Sequence, residues 1–199
     1  MAPRHDGRRG YILNTDTSPT IVIVPGLRDH VPEHWQTLLE QKLSKAVAVP
    51  RMERDKLSCA AWVAQLDRTL ALIDGPVVLV AHSAGVMITV HWAQQHGRPV
   101  QGALLAAPPD FESPLPEGYP TQDVLRANGW LPTPRARLPF PSIVAASTND
   151  PLGRYERAAD LAAAWGSRLD DVGAVGHLNP AAGFGEWTQA EAFVAELAR

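Results

Sequence analysis

A single cysteine, Cys59, in 199 residues leaves no intrachain disulfide to form. The core must hold the fold, and a chain of this size can bury roughly 70% of its unfolded surface. Charge of one sign is missing too: 18 Lys and Arg against 21 Asp and Glu give a formal net charge of −3. That balance supplies neither a basic face for nucleic acid nor a polybasic stretch for an anionic membrane. No apolar run approaches the ~18 residues of a membrane span. The first 19 residues lack the apolar centre of a signal peptide, so a cytoplasmic location is expected. Neither G-x-x-x-x-G-K-[ST] nor a G-x-G-x-x-G after a strand occurs, and no cofactor is expected.

What is present is an alternation of short β-branched runs with amphipathic segments, the pattern of parallel strands joined by helices. Strands are expected at Thr20–Val24, Ala46–Val49, Val77–Ala81, Val100–Ala106 and Ser142–Ala146, with a weak last one at Arg168–Val172. Between them, 3.6-residue periodicity predicts helices over Glu33–Lys45, from an N-cap at Ser58 to about Ile73, and from just beyond Ser83 to about His96. Two more are expected at Arg154–Trp165 and Glu186–Ala198. The class is therefore α/β, a mostly parallel sheet with helices on both faces, in one domain over 20–199. Residues 1–19 form a polar tail, a candidate for disorder. Nine of the 18 prolines fall in 108–141, which forbids long helices or central strands there. So long a connection in a compact domain is usually functional. A lid-like insertion is expected, with Phe111, Tyr119 and Trp130 lining a pocket.

The run VVLVAHSAG ends a buried strand in Ser83, crowded only by Ala81, Ala84 and Gly85. A serine at a sharp strand-to-helix turn needs small neighbours two positions away, because its backbone is strained. Gly85 meets that demand, and Ala81 adds one methyl. The alternative is a serine that merely caps the following helix. A hydroxyl becomes a nucleophile when a base takes its proton and an acid orients the base. In this arrangement the acid and then the histidine follow the serine, each beyond a strand end. SIVAASTND runs into Asp150, and VGAVGH sets His177 on a Gly-rich loop. Asp150-Pro151 would also suit a helix start, while Asp170 and Asp171 are rival acids inside or beside the last strand. His82, the free position of the turn, is expected to point away from the nucleophile. Backbone N–H groups of Ala84 and Leu27 are the candidate oxyanion donors. His30-Val31-Pro32-Glu33-His34 spells H-x-x-E-H, but Pro32 keeps the two histidines off one helical face, so no metal site is expected.

These residues resemble the small α/β-hydrolase family of retinoblastoma-binding-protein-9-like and YdeN-like serine hydrolases. The resemblance runs from about Thr20 to Trp187 and rests on IVIVPG (21–26), EHW (33–35), LVAHSAG (79–85) and AAPPD (106–110). LPFPS (138–142), ASTNDP (146–151), LAAAWG (161–166) and GHLNPAAGFGEW (176–187) complete it. It implies a reduced α/β-hydrolase fold and a triad on Ser83, Asp150 and His177. It also implies that alanine is acceptable at 81; Ala84 departs from the leucine common there. The expected function is cleavage of a small ester, thioester or activated amide through an acyl-serine, with a small-molecule substrate as the only indicated partner. The rival is a protein-binding module that keeps the scaffold with little or no catalysis.

Overall fold

The computed structural model describes residues 18–28 and 31–199. The polar tail through residue 17 and His30 of the H-x-x-E-H spelling lie outside the described residues. Six strands form one parallel sheet: β1 (Thr20–Val24), β2 (Ala46–Ala48), β3 (Val77–His82), β4 (Gly102–Ala106), β5 (Ser142–Ala146) and β6 (Arg168–Asp171), in the order β2-β1-β3-β4-β5-β6. Every residue of β3, β4 and β5 is buried, as continuous apolar runs demand when helices cover both faces. The edge strands β2 and β6 are only partly covered, and β6 reads Arg-Leu-Asp-Asp, charges that discourage further pairing.

Alternation along the strands assigns the two faces. Val22, Val24, Leu79 and Ala81 pack under α2 (Cys59–Ala71), α3 (Ala84–Gln95) and α5 (Tyr155–Trp165). Ile21, Ile23, Val78 and Val80 pack under α1 (Trp35–Lys42) and α6 (Thr188–Leu197). Helix α2 starts where the sequence predicts: the Ser58 hydroxyl accepts the Ala61 N–H at 3.2 Å. It buries Trp62, Leu66 and Leu70, each contributing about 1.5–3 kcal/mol by leaving water. Helix α5 stops at Gly166, whose φ of 69° gives a left-handed C-cap.

The proline-rich segment has more structure than expected. It contains a short helix, α4 (Gln122–Ala127), capped by the Thr121 hydroxyl. It buries Phe111, Leu125, Trp130, Leu138 and Phe140 in the same core as α2, α3 and α5. Its indole and backbone bonds are specific: Trp130 Nε1 donates to Leu57 O (2.6 Å), and Trp165 Nε1 donates to Pro134 O (2.8 Å). Among the described residues no helix is long and apolar enough to cross a membrane.

Candidate active site

The chain leaves β1 toward β2 and returns to place β3 on the other side of β1. Connections from these neighbours thus run to opposite faces, α1 below and α3 above, and a crevice opens at their C-terminal ends. Ser83 sits in that crevice, between β3 and α3. Its φ of 56° and ψ of −127° lie where L-residues rarely go. The strain is held by its N–H bond to Ala106 O (3.0 Å) and by the Val86 N–H bond to Ser83 O (2.9 Å). Gly85 is obligatory: a Cβ there would sit 2.2 Å from Val24 O and 2.8 Å from Pro25 O. The methyl of Ala81, by contrast, is fully buried in the core. Ser83 occupies the N-cap position, yet its side chain does not cap the helix.

The hydroxyl faces a histidine instead. His177 Nε2 lies 2.8 Å from Ser83 Oγ, and His177 Nδ1 lies 2.7 and 2.9 Å from the two oxygens of Asp150. A carboxylate accepts, so Nδ1 carries the hydrogen and the Nε2 lone pair faces the hydroxyl. Such a chain can pass the serine proton to the imidazole. Asp150 and His177 are 7% and 4% exposed, so water competes little for these bonds. Asp150 does not open a helix: α5 begins at Tyr155, and Asp150 Oδ1 accepts the Leu152 N–H at 2.8 Å. The loops after β5 and β6 are tied together. Asn149 Oδ1 accepts the Gly176 N–H (2.7 Å), and Ser147 Oγ accepts the Val175 N–H (3.1 Å). The rival acids are occupied elsewhere, Asp171 with the Gly173 N–H and Asp170 near Arg168 and Gln189.

A cavity of about 230 Å³ opens over Ser83. Leu27 and Ala84 line it, and Gly26 approaches so closely that a Cβ there would sit 3.2 Å from Ser83 Cβ. Phe111 and Tyr119 also line it, with Leu115 and Leu152; the Arg28 guanidinium lies over the Tyr119 ring at 5.0 Å. Trp130 does not line the cavity, contrary to expectation. It is fully buried behind Phe111, ring centroids 5.6 Å apart, because its indole N–H is drawn to Leu57 O.

The serine hydrolase family model matches residues 21–196. The chain belongs to the YdeN-like serine hydrolase family. A structure described as a YdeN-like hydrolase from Pectobacterium atrosepticum is 34% identical, with a TM-score of 0.76 and 91% of each chain covered. The ydeN gene product of B. subtilis has a TM-score of 0.71 at 19% identity, covering 90% of this chain and 98% of that one. Est1E from Butyrivibrio proteoclasticus has a TM-score of 0.65 at 11% identity, covering 93% and 87%. The last two likenesses speak for the α/β-hydrolase fold alone. No curated protein matches the chain in sequence.

The hydrolase also has cavity residues that the sequence reading missed. His82 does not point away. Its ring stands 4.9 Å from that of His177, and its Nε2 is 2.8 Å from the His177 backbone oxygen. Burial first, then the neighbouring imidazoles of His177 and His34, hold His82 well below the ordinary imidazole range. A signal existed: His82 lies two residues beyond Val80, on the face that carries α1 and α6. His34 caps α1, accepting the Gln36 N–H on Nδ1 at 3.2 Å. Gln36 Nε2 donates to both Val24 O and Val80 O, at 3.1 and 2.9 Å, and so clamps the ends of β1 and β3 beside the crevice.

Proposed function

We propose that this hydrolase cleaves small carboxylic esters through an acyl-enzyme on Ser83. The single observation that carries the reading is the unbroken chain from Asp150 through His177 to a strained serine, with contacts of 2.7 and 2.8 Å. Ser83 Oγ bonds the ester carbonyl carbon as its proton passes to His177 Nε2. Asp150 holds the ring by Nδ1–H and favours the imidazolium that forms. The carbonyl oxygen, now negative, is met by the backbone N–H groups of Leu27 and Ala84, the latter at the positive end of α3. Losing one such donor would cost about 3 kcal/mol of transition-state stabilisation. The imidazolium protonates the departing alkoxide. Water then gives its proton to His177 and its oxygen to the acyl carbon, releasing the acid and restoring the serine.

The size and lining of the cavity support a small, largely apolar substrate. Ligand pockets usually span about 300–1,000 Å³, so this one, at about 230 Å³, falls below that range. The test is a panel of short, medium and aryl p-nitrophenyl esters with purified protein. Ser83→Ala should lose on the order of a million-fold in rate, as in well-developed triads. A fluorophosphonate should label Ser83. If Ser83→Ala turns over any of these esters as fast as the parent, the acyl-serine route is wrong.

A further inference from the structure

Three imidazoles stand side by side at the candidate site. The His82 ring lies 4.6 Å from His34 and 4.9 Å from His177, centroid to centroid, and is 5% exposed. The esterase reading uses only His177. His82 Nε2 meets the backbone oxygen of His177 at 2.8 Å across 95 positions of sequence. A carbonyl only accepts, so Nε2 carries the hydrogen. That carbonyl belongs to the peptide joining His177 to Leu178, and Leu178 has a φ of 49°. A leucine keeps a left-handed backbone only where its surroundings over-determine it. Here one anchor is the Leu178 side chain, fully buried among the apolar residues under α1 and α6. The other is the bond from His82.

We propose that His82 is a positioning residue, whose Nε2–H grips the carbonyl of His177 and thereby aims the His177 imidazole at Ser83. The proposal rests on the reading of Ser83 and His177 as the reacting pair. The geometry explains why an imidazole serves at this place. The donor must reach from the end of β3 across to the loop after β6, and it must stay uncharged beside a ring that becomes cationic during turnover. Among the described residues, the groups facing His82 are His34 from the start of α1 and His177 from its loop, with Asp150 beyond His177; Trp35, edge-on at 6.0 Å, carries no charge. A cationic His82 would oppose the imidazolium at His177, whereas a neutral one leaves it unopposed.

Two variants separate the donor from the ring. His82→Phe keeps the bulk and removes the N–H; His82→Gln carries an amide N–H near the position of Nε2. With a p-nitrophenyl ester, His82→Phe should lower kcat by about 10- to 100-fold, as a displaced catalytic group does, with KM within about twofold. Fluorophosphonate labelling of Ser83 should slow by the same factor, and His82→Gln should recover most of both rates. In the wild-type protein, nitrogen NMR of the histidines should show His82 neutral at pH 7, with hydrogen on Nε2. Wild-type kcat in His82→Phe overturns the proposal, as does an equal loss in both variants when both melt with the wild type. So does an Nδ1–H tautomer, or a cationic His82 at pH 7, and this NMR arm decides if His82→Phe fails to fold. An inactive wild type with unlabelled Ser83 would sink the esterase reading itself. An active wild type indifferent to His82 would sink only this inference.

Discussion

Ser83 should be a costly residue for the fold, and two substitutions measure the cost. Ser83→Ala and Ser83→Gly both delete the hydroxyl and its bond to His177, so they differ only in the Cβ. At φ 56° and ψ −127° that Cβ is the source of the strain, which in such regions amounts to about 1–3 kcal/mol. Glycine relieves it. Against this, glycine gains freedom in the unfolded chain, about 0.4–1 kcal/mol relative to alanine. Ser83 is partly buried, so its methylene returns about 0.4 kcal/mol, half the value of a fully buried one. The balance favours glycine by about 1 kcal/mol, taking the middle of each range.

Urea unfolding followed by tryptophan fluorescence would read this difference as a higher midpoint for Ser83→Gly at unchanged slope. In a thermal scan the same difference is about 2–4 °C for a chain of this size. Without strain, the freedom that glycine gains in the unfolded chain and the buried methyl of alanine would favour alanine. An Ser83→Ala protein as stable as Ser83→Gly, or more so, would therefore refute the claim that the turn is strained. It would also remove the reason for the crowding by Ala81 and Gly85.

Burial pushes the Cys59 thiol up to about 12, so at pH 8 it is neither ionised nor accessible. Its reaction with a disulfide reagent should appear only as fast as the protein unfolds; prompt labelling of the native protein would contradict the packing of α2. Burial opposes ionisation of Asp110, but hydrogen bonds from Ser113 and Arg157, with the guanidinium charge, outweigh it and hold the carboxyl below its ordinary range. A depressed carboxyl stabilises the fold above the unfolded value and loses that contribution as pH falls through the folded one. Asp110→Asn should thus cost about 1–3 kcal/mol at pH 7 and converge with the wild type in acid; a gap that persists in acid would count against the ion pair. Tyr119→Ala, which opens the cavity, should shift kcat/KM toward bulkier acyl esters by on the order of 10- to 200-fold, the roughly 1–3 kcal/mol scale of a pocket contact, while fluorophosphonate labelling of Ser83 stays within about threefold. Equal losses of both would make Tyr119 structural.

Much of this could be read from the residues alone. Strand β1 stands as expected, and so does β5, because their β-branched runs end at Pro25-Gly26 and at the polar Ser147-Thr148-Asn149. The helices came out shorter at their ends, where capping overrides periodicity: His34 caps α1 two residues into the expected Glu33–Lys45 helix. Proline density hid α4, which takes six of the eleven residues between Pro120 and Pro132, directly after the Thr121 cap. Trp130 was misread because an indole in a loop suggests a pocket wall, whereas this one follows its N–H to a carbonyl under the core. His82 was misread for a different reason. The chain reverses at Ser83, but His82 still belongs to β3, whose alternation assigns it to the α1 and α6 face.

The proline-rich segment both walls the cavity and packs into the core. Its first third supplies the cavity wall, including Phe111, Leu115 and Tyr119. The remainder is fastened away from the site, by Leu138 N–H to Trp165 O and Trp130 Nε1 to Leu57 O in the turn before α2, while Arg135 and Arg157 both pair with Glu112 in the first third. Asp110, at its entrance, is bonded to Arg157 of α5, and the Asp110 N–H reaches Leu152 O just beyond Asp150. The wall of the cavity and the carboxylate that orients His177 are therefore parts of one bonded unit. A substitution that loosens 108–113 would displace the acid as well as the wall. Under the proposed esterase reading, substitutions at the three cavity side chains should shift substrate range with little loss of stability, whereas changes to the backbone that carries them should lower stability.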